Sequence, residues 1–234
     1  QEETETIERY ARRVAAGAAA GAGTAEGRGN DPLSVLLERQ KENPASFLSH
    51  KSLHLESGLP LQRASCGLLL QFANVMADCV PGILEGVDSE FLHDYRVCVR
   101  KSRAFLSLLK SLLDTEAVSP HISFLKRCGN MTTEMRDLDV YLLEFPVFYN
   151  LLPPSLNTHL EAFYDEIQAK REAAGKLLFA DLDKETYKAG FAAWRKILQS
   201  GRLIAAEKET PSDVLGRRLI PGRYKKVRKL AGRI

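Results

Sequence analysis

Disulfide and zinc chemistry have little to work with in this sequence. The four cysteines, Cys66, Cys79, Cys98 and Cys128, form no CxxC pair and stand near no histidine cluster. The expectation is four buried, reduced thiols in a cytoplasmic protein, with no metal site. No apolar run reads as long enough to span a membrane, and no signal peptide is visible, so no membrane partner is expected. Period-two alternation of apolar and polar residues is missing, which argues against a sheet. No GxSxG, no HExxH and no usefully paired carboxylates occur, so neither an enzyme nor a cofactor is expected. Finally, no acidic residue follows Asp213.

That last absence leaves the charge unevenly placed. Arg217, Arg218, Arg223, Lys225, Lys226, Arg228, Lys229 and Arg233 give the final 21 residues a charge of +8. The chain as a whole carries +3, so residues 1–213 carry the difference, −5. Positive charge gathered in this way points to local anion binding. Hydrophobic content of 44% and charged content of 27% fit an ordinary globular protein, with length enough for one sizeable core or two small ones.

Residues 1–57 read as a partly flexible connector. The Ala- and Gly-rich stretch from Ala15 to Asn30 is poor core material, and a short amphipathic helix is expected only from Pro32 to Gln40. Glu3-Thr4-Glu5 lacks the lysine of a phosphate-hydrolase motif, and Gly21, Gly23 and Gly27 follow no strand. From Pro60 onward the spacing is helical. It predicts helices over 61–80, ending near Pro81-Gly82, and over 89–113, with Ser89 as N-cap. A third helix is expected from Ser119-Pro120 through Arg136 to about 145. Others follow over 156–178 and 184–198, the latter closed by Ser200-Gly201. A basic helix is expected over 211–233, with Pro221-Gly222 as a candidate break. The fold class expected is an all-α antiparallel helical bundle.

The second helix carries the most informative pattern. At about 100° per residue, His93, Arg96, Arg100 and Arg103 fall on one narrow strip, and Lys110 extends it beyond Ser107. No Asp or Glu between 89 and 110 shares that strip, and most of the remaining circumference is apolar. Cations at this spacing repel one another, so an unpaired row calls for an anionic ligand. Lys101 sits off the strip.

Arg136-Asp137-Leu138-Asp139-Val140 is the second candidate segment. Helical residues two apart do not face the same way, so Asp137 and Asp139 are not expected to grip one metal ion. Either carboxylate suits an orienting role, fixing an arginine by a charge-assisted bond. In the basic C-terminal stretch Tyr224 is the only aromatic residue, which is thin for stacking on nucleic acid bases. Arg223, Lys226, Lys229 and Arg233 share one broad helical face and suggest a second cationic wall.

"FLHDYRVCVRKSRAFLSLLK" and "LKRCGNMTTEMRDLDVYLLEF" together resemble the conserved histidine α-helical domain, or CHAD, family. Its pattern His-x-x-Arg-Val-x-x-Arg-Arg-x-Arg matches His93, Arg96, Val97, Arg100, Lys101 and Arg103, with lysine in place of the doublet's second arginine. Its Arg-Asp-x-Asp-Val matches Arg136, Asp137, Asp139 and Val140. The segments around 152–171 and 187–198 look like the bacterial branch in which CHAD follows a CYTH triphosphatase domain. The resemblance implies a CHAD-like domain over 58–234, made of a first four-helix subdomain and the start of a second pseudo-symmetric one. It implies truncation in the second repeat, whose own histidine-bearing helix is not in this sequence. It further implies non-catalytic binding of inorganic polyphosphate in a basic groove, at cytoplasmic polyphosphate granules. On that reading His93, Arg96, Arg100, Lys101, Arg103, Lys110, Arg223 and Lys226 bind the polyanion, while Arg136, Asp137 and Asp139 orient them. The alternatives are a nucleic-acid-binding helical domain, or an accessory polyanion-binding domain for a CYTH triphosphatase in the same full-length chain.

Overall fold

Apolar residues recurring at three- and four-residue spacing drive nearly the whole described chain into helix. The computed structural model describes residues 58–86, 88–153, 157–205 and 208–231, all within the unit Asn43–Ile234. The expected connector, the helix over 32–40, the motifs before residue 30 and Arg233 lie outside the described residues. The helices are α1 (Leu61–Leu84), α2 (Ser89–Leu108), α3 (Thr115–Met131), α4 (Thr133–Leu151), α5 (Asn157–Asp183), α6 (Glu185–Ser200) and α7 (Ser212–Ala231). No strand occurs among the described residues, and the fold is an all-α helical bundle.

Helices α1, α2, α3 and α6 share the core. Leu69, Met76 and Ile83 of α1 meet Leu92, Tyr95, Val99 and Leu106 of α2, with Leu125 of α3 and Trp194 of α6 also fully buried. Tyr95 Oη donates to Tyr187 Oη at 3.2 Å, tying α2 to α6. Phe124 packs against Tyr187 and Phe191. Helices α4 and α5 form a hairpin against this core, joined by Phe145 and Tyr164 with ring centroids 4.8 Å apart.

The chain between α6 and α7 is stitched along one end of the bundle. Asp114 N donates to Leu203 O, and Ala205 N to Leu112 O. Leu61 N donates to Thr210 O, Ser212 N to Leu59 O, and Gln62 Oε1 accepts from Ile204 N. Gly201, at φ 67°, takes the left-handed conformation that ends α6.

Several boundaries differ from those expected. Helix α1 runs through Pro81 to Leu84, because Gly82 and Ile83 are buried and their packing outweighs the one ladder bond that proline removes. It is also long and apolar enough, by length and composition, to cross a membrane, contrary to the expectation. Its apolar side chains nevertheless line the bundle core. Asp88, not Ser89, caps α2, accepting from Glu90 N at 2.9 Å. Helix α2 ends at Leu108, so Lys110 lies in the following turn and does not extend the helical strip. Helix α7 passes through Pro221 without a break.

The single helix expected over 119–145 is two, α3 and α4, divided at Thr132. Thr132 Oγ1 bonds Cys128 O and Gly129 O, and Thr133 Oγ1 bonds Gly129 O. Hydroxyls that bond local carbonyls in this way compete with the helical ladder.

Candidate functional site

The cationic strip of α2 borders the corner where α3 turns into α4. His93 and Arg96 are half-buried there, while Arg100 and Arg103 are exposed. Their span along the helix, ten residues, is about 15 Å. Among the described residues no carboxylate forms an ion pair with any of the four.

Arg96 is held firmly. Its Nη1 donates toward Gly129 O at 3.1 Å, Thr132 Oγ1 at 2.8 Å and Thr133 Oγ1 at 3.2 Å. Burial lowers its proton affinity, Asp137 nearby offsets this, and Arg136 and Arg100 add repulsion. That balance places Asp137, Arg136 and Arg100 in one electrostatic neighbourhood around it. Gly129 lets Arg103 and Val99 of α2 come close to α3, since a Cβ there would lie 3.2 Å from Arg103 Nη1 and 3.7 Å from Val99 Cγ1.

Arg136, from the first turns of α4, joins the strip. Its Nη2 lies 3.0 Å from His93 Nδ1, and its buried Nη1 has no hydrogen-bond partner among the described residues. The two aspartates of the second motif diverge. Asp137 is exposed, whereas Asp139 is only 3% exposed and accepts from Arg171 Nε of α5 at 2.8 Å. Asp139 thus pins α5 to α4 and neutralises Arg171. No group of three His, Cys, Asp or Glu side chains positioned to hold a metal ion occurs among the described residues.

Lys101 lies on another side of α2, 5.9 Å above the Phe72 ring of α1. It lines a groove of about 580 Å³ with Phe72, Phe105, Ser107 and Arg223. Arg223 of α7 therefore does come beside α2, while Arg233 of the expected second wall lies outside the described residues. Lys226 is exposed and lines no part of that groove, and Val227 and Leu230 are 62% and 54% exposed. Only Leu215 and Leu219 of α7 pack against the core, because α7 meets the bundle mainly through its first turns. Among the described residues, Val227 and Leu230 do not join the core, so the apolar contacts that would close a wall are not made there.

Gly129, Thr132, Thr133 and Arg171 escape a reading by sequence alone. Their roles depend on partners 32 to 37 residues away. The only local signal was the Gly-Asn-Met-Thr-Thr run, a poor continuation for a helix interior.

The four cysteines are buried thiols, and burial pushes Cys98 and Cys128 up to about 11. They sit in the core, where Lys101 and Arg127 partly offset that rise for Cys98 and Cys128. Set against known protein families, residues 67–234 match the model of the CHAD domain. No curated protein matches the chain.

Proposed function

Because the chain belongs to the CHAD domain family, with residues 67–234 matched, we propose that it binds inorganic polyphosphate without transforming it. The observation that carries this reading is a row of cations with no ion-pair partner among the described residues, in which Arg96 is already held in place. Arg100 and Arg103 present exposed planar donor forks suited to phosphate oxygens, with the half-buried Arg96 and Arg136 adding positive charge beside them. Phosphate units of an extended chain would lie along α2, with Lys101 and Arg223 of the adjoining groove as further contacts. An arginine fixed before the ligand arrives loses less freedom on binding than a floppy one.

Metal-assisted phosphoryl transfer would need carboxylates converging on the scissile bond. The two carboxylates of the Arg136–Val140 segment do not converge, Asp137 being exposed and Asp139 committed to Arg171. This supports binding over turnover. The test is equilibrium titration of labelled long-chain polyphosphate with the wild type and with an Arg100→Glu/Arg103→Glu variant. These two side chains are exposed, so the variant should fold with an unchanged helical spectrum and bind at least about a hundredfold more weakly. A folded variant with wild-type affinity overturns the proposal.

A further inference from the structure

We infer that His93 serves this site as a neutral hydrogen-bond acceptor that holds Arg136 in position, and not as a fourth cation of the strip. The inference rests on the anion-binding reading above and assigns a role within it. A guanidinium has donors and no acceptor. The 3.0 Å contact between Arg136 Nη2 and His93 Nδ1 therefore requires the Nδ1 lone pair, which leaves the imidazole proton on Nε2. His93 is half-buried on α2 and Arg136 half-buried on α4, so the bond also sets how the Arg136 fork is turned toward the strip.

The choice of acceptor has a consequence. A carboxylate would fix an arginine and cancel its charge, as Asp139 does for Arg171. A neutral acceptor fixes the arginine and leaves its charge for a ligand. Both half-buried arginines beside the strip are treated in this second way. Arg96 is held by two threonine hydroxyls and a backbone carbonyl, and Arg136 by an imidazole nitrogen. The Nη1 of Arg136 is buried and meets no acceptor among the described residues, so the bond to His93 Nδ1 is the one described contact that sets how this guanidinium is turned. His93 is thus a positioning residue that acts through Arg136.

Three substitutions separate this role from its rivals. His93→Asn places an amide oxygen near the position of Nδ1. His93→Gln instead places its amide near Nε2. His93→Asp supplies an acceptor that neutralises. Polyphosphate affinity and melting temperature are measured for each, with Arg100→Glu as the control for the strip. The Asn variant should stay within about threefold of wild type, and the Gln variant should lose about tenfold. The Asp variant should melt no lower than wild type and still lose at least about tenfold. Retention by Gln with loss by Asn would mean that Nε2 meets the ligand directly, and would overturn the inference. So would full affinity in the Asp variant, or a variant set in which melting temperature moves and affinity does not. A nitrogen-15 spectrum of the free protein gives a reading independent of ligand. The Nε2–H tautomer of His93 is expected, and an Nδ1–H tautomer overturns the role. Absence of binding by the wild type itself, with the expected tautomer present, defeats the polyphosphate reading and leaves Arg136 with no anion to be positioned for.

Discussion

Arg96 and Arg100 look interchangeable in the motif, yet they occupy different environments. Arg96 is half-buried and donates to the carbonyl and hydroxyls of the α3–α4 corner, whereas Arg100 is exposed. Arg96→Ala should therefore lower both stability, by about 1–2 kcal/mol from lost charge-assisted bonds, and polyphosphate affinity. Arg100→Ala should lower affinity alone. Urea denaturation and polyphosphate titration of the two variants check this, and equal stability losses would contradict it. The strip itself was legible in the sequence because a histidine and three arginines at helical spacing need no tertiary information. The partners that fix them were not, because Gly129, Thr132 and Thr133 reach Arg96 only once α3 packs on α2. Lys110 was misplaced for a simpler reason: periodicity continued past Leu108, but the chain turned.

At the scale of the helices, periodicity placed helix over every described element but ran α3 and α4 together, and packing and local hydrogen bonds decided where each one ends. Proline marked the end of α1 by its missing N–H, yet the helix continues because Gly82 and Ile83 are needed in the core. Thr132 divides α3 from α4 because side-chain hydroxyls and Arg96 converge on the Gly129 carbonyl, a competition that periodicity does not register. Gly82 has a second use. A Cβ there would lie 2.4–2.5 Å from the Phe91 ring carbons, and Phe91 is itself buried. Gly82→Ala should therefore force the ring or the α1–α2 contact apart, at a cost of about 1–3 kcal/mol. A denaturation midpoint equal to wild type, despite the better helix propensity of alanine, would contradict that contact.

For the molecule as a whole, stability should respond to mild acid through His121 and function should respond to charge. His121 packs against the buried Trp194, ring centroids 5.7 Å apart, and burial lowers its proton affinity. The unfolded chain takes up this proton near the ordinary value of about 6.5, before the folded chain does. The contribution of neutral His121 is therefore fully present above about pH 6.5 and is lost as pH falls through the lowered folded value. Urea midpoints should drop over that window in the wild type and drop less in His121→Phe, and parallel profiles would contradict this. The basic character of α7 adds a field to the strip, and polyanion binding should weaken steeply with salt as counterions are released. Charge alone, however, would also attract nucleic acid. The deciding measurement is competition at fixed ionic strength, in which long-chain polyphosphate, RNA and duplex DNA of matched charge displace labelled polyphosphate from the wild-type chain. Polyphosphate should displace it at the lowest charge-equivalent concentration, with the Arg100→Glu/Arg103→Glu variant retaining little to displace. Displacement by RNA or DNA at an equal or lower concentration would contradict the polyphosphate reading.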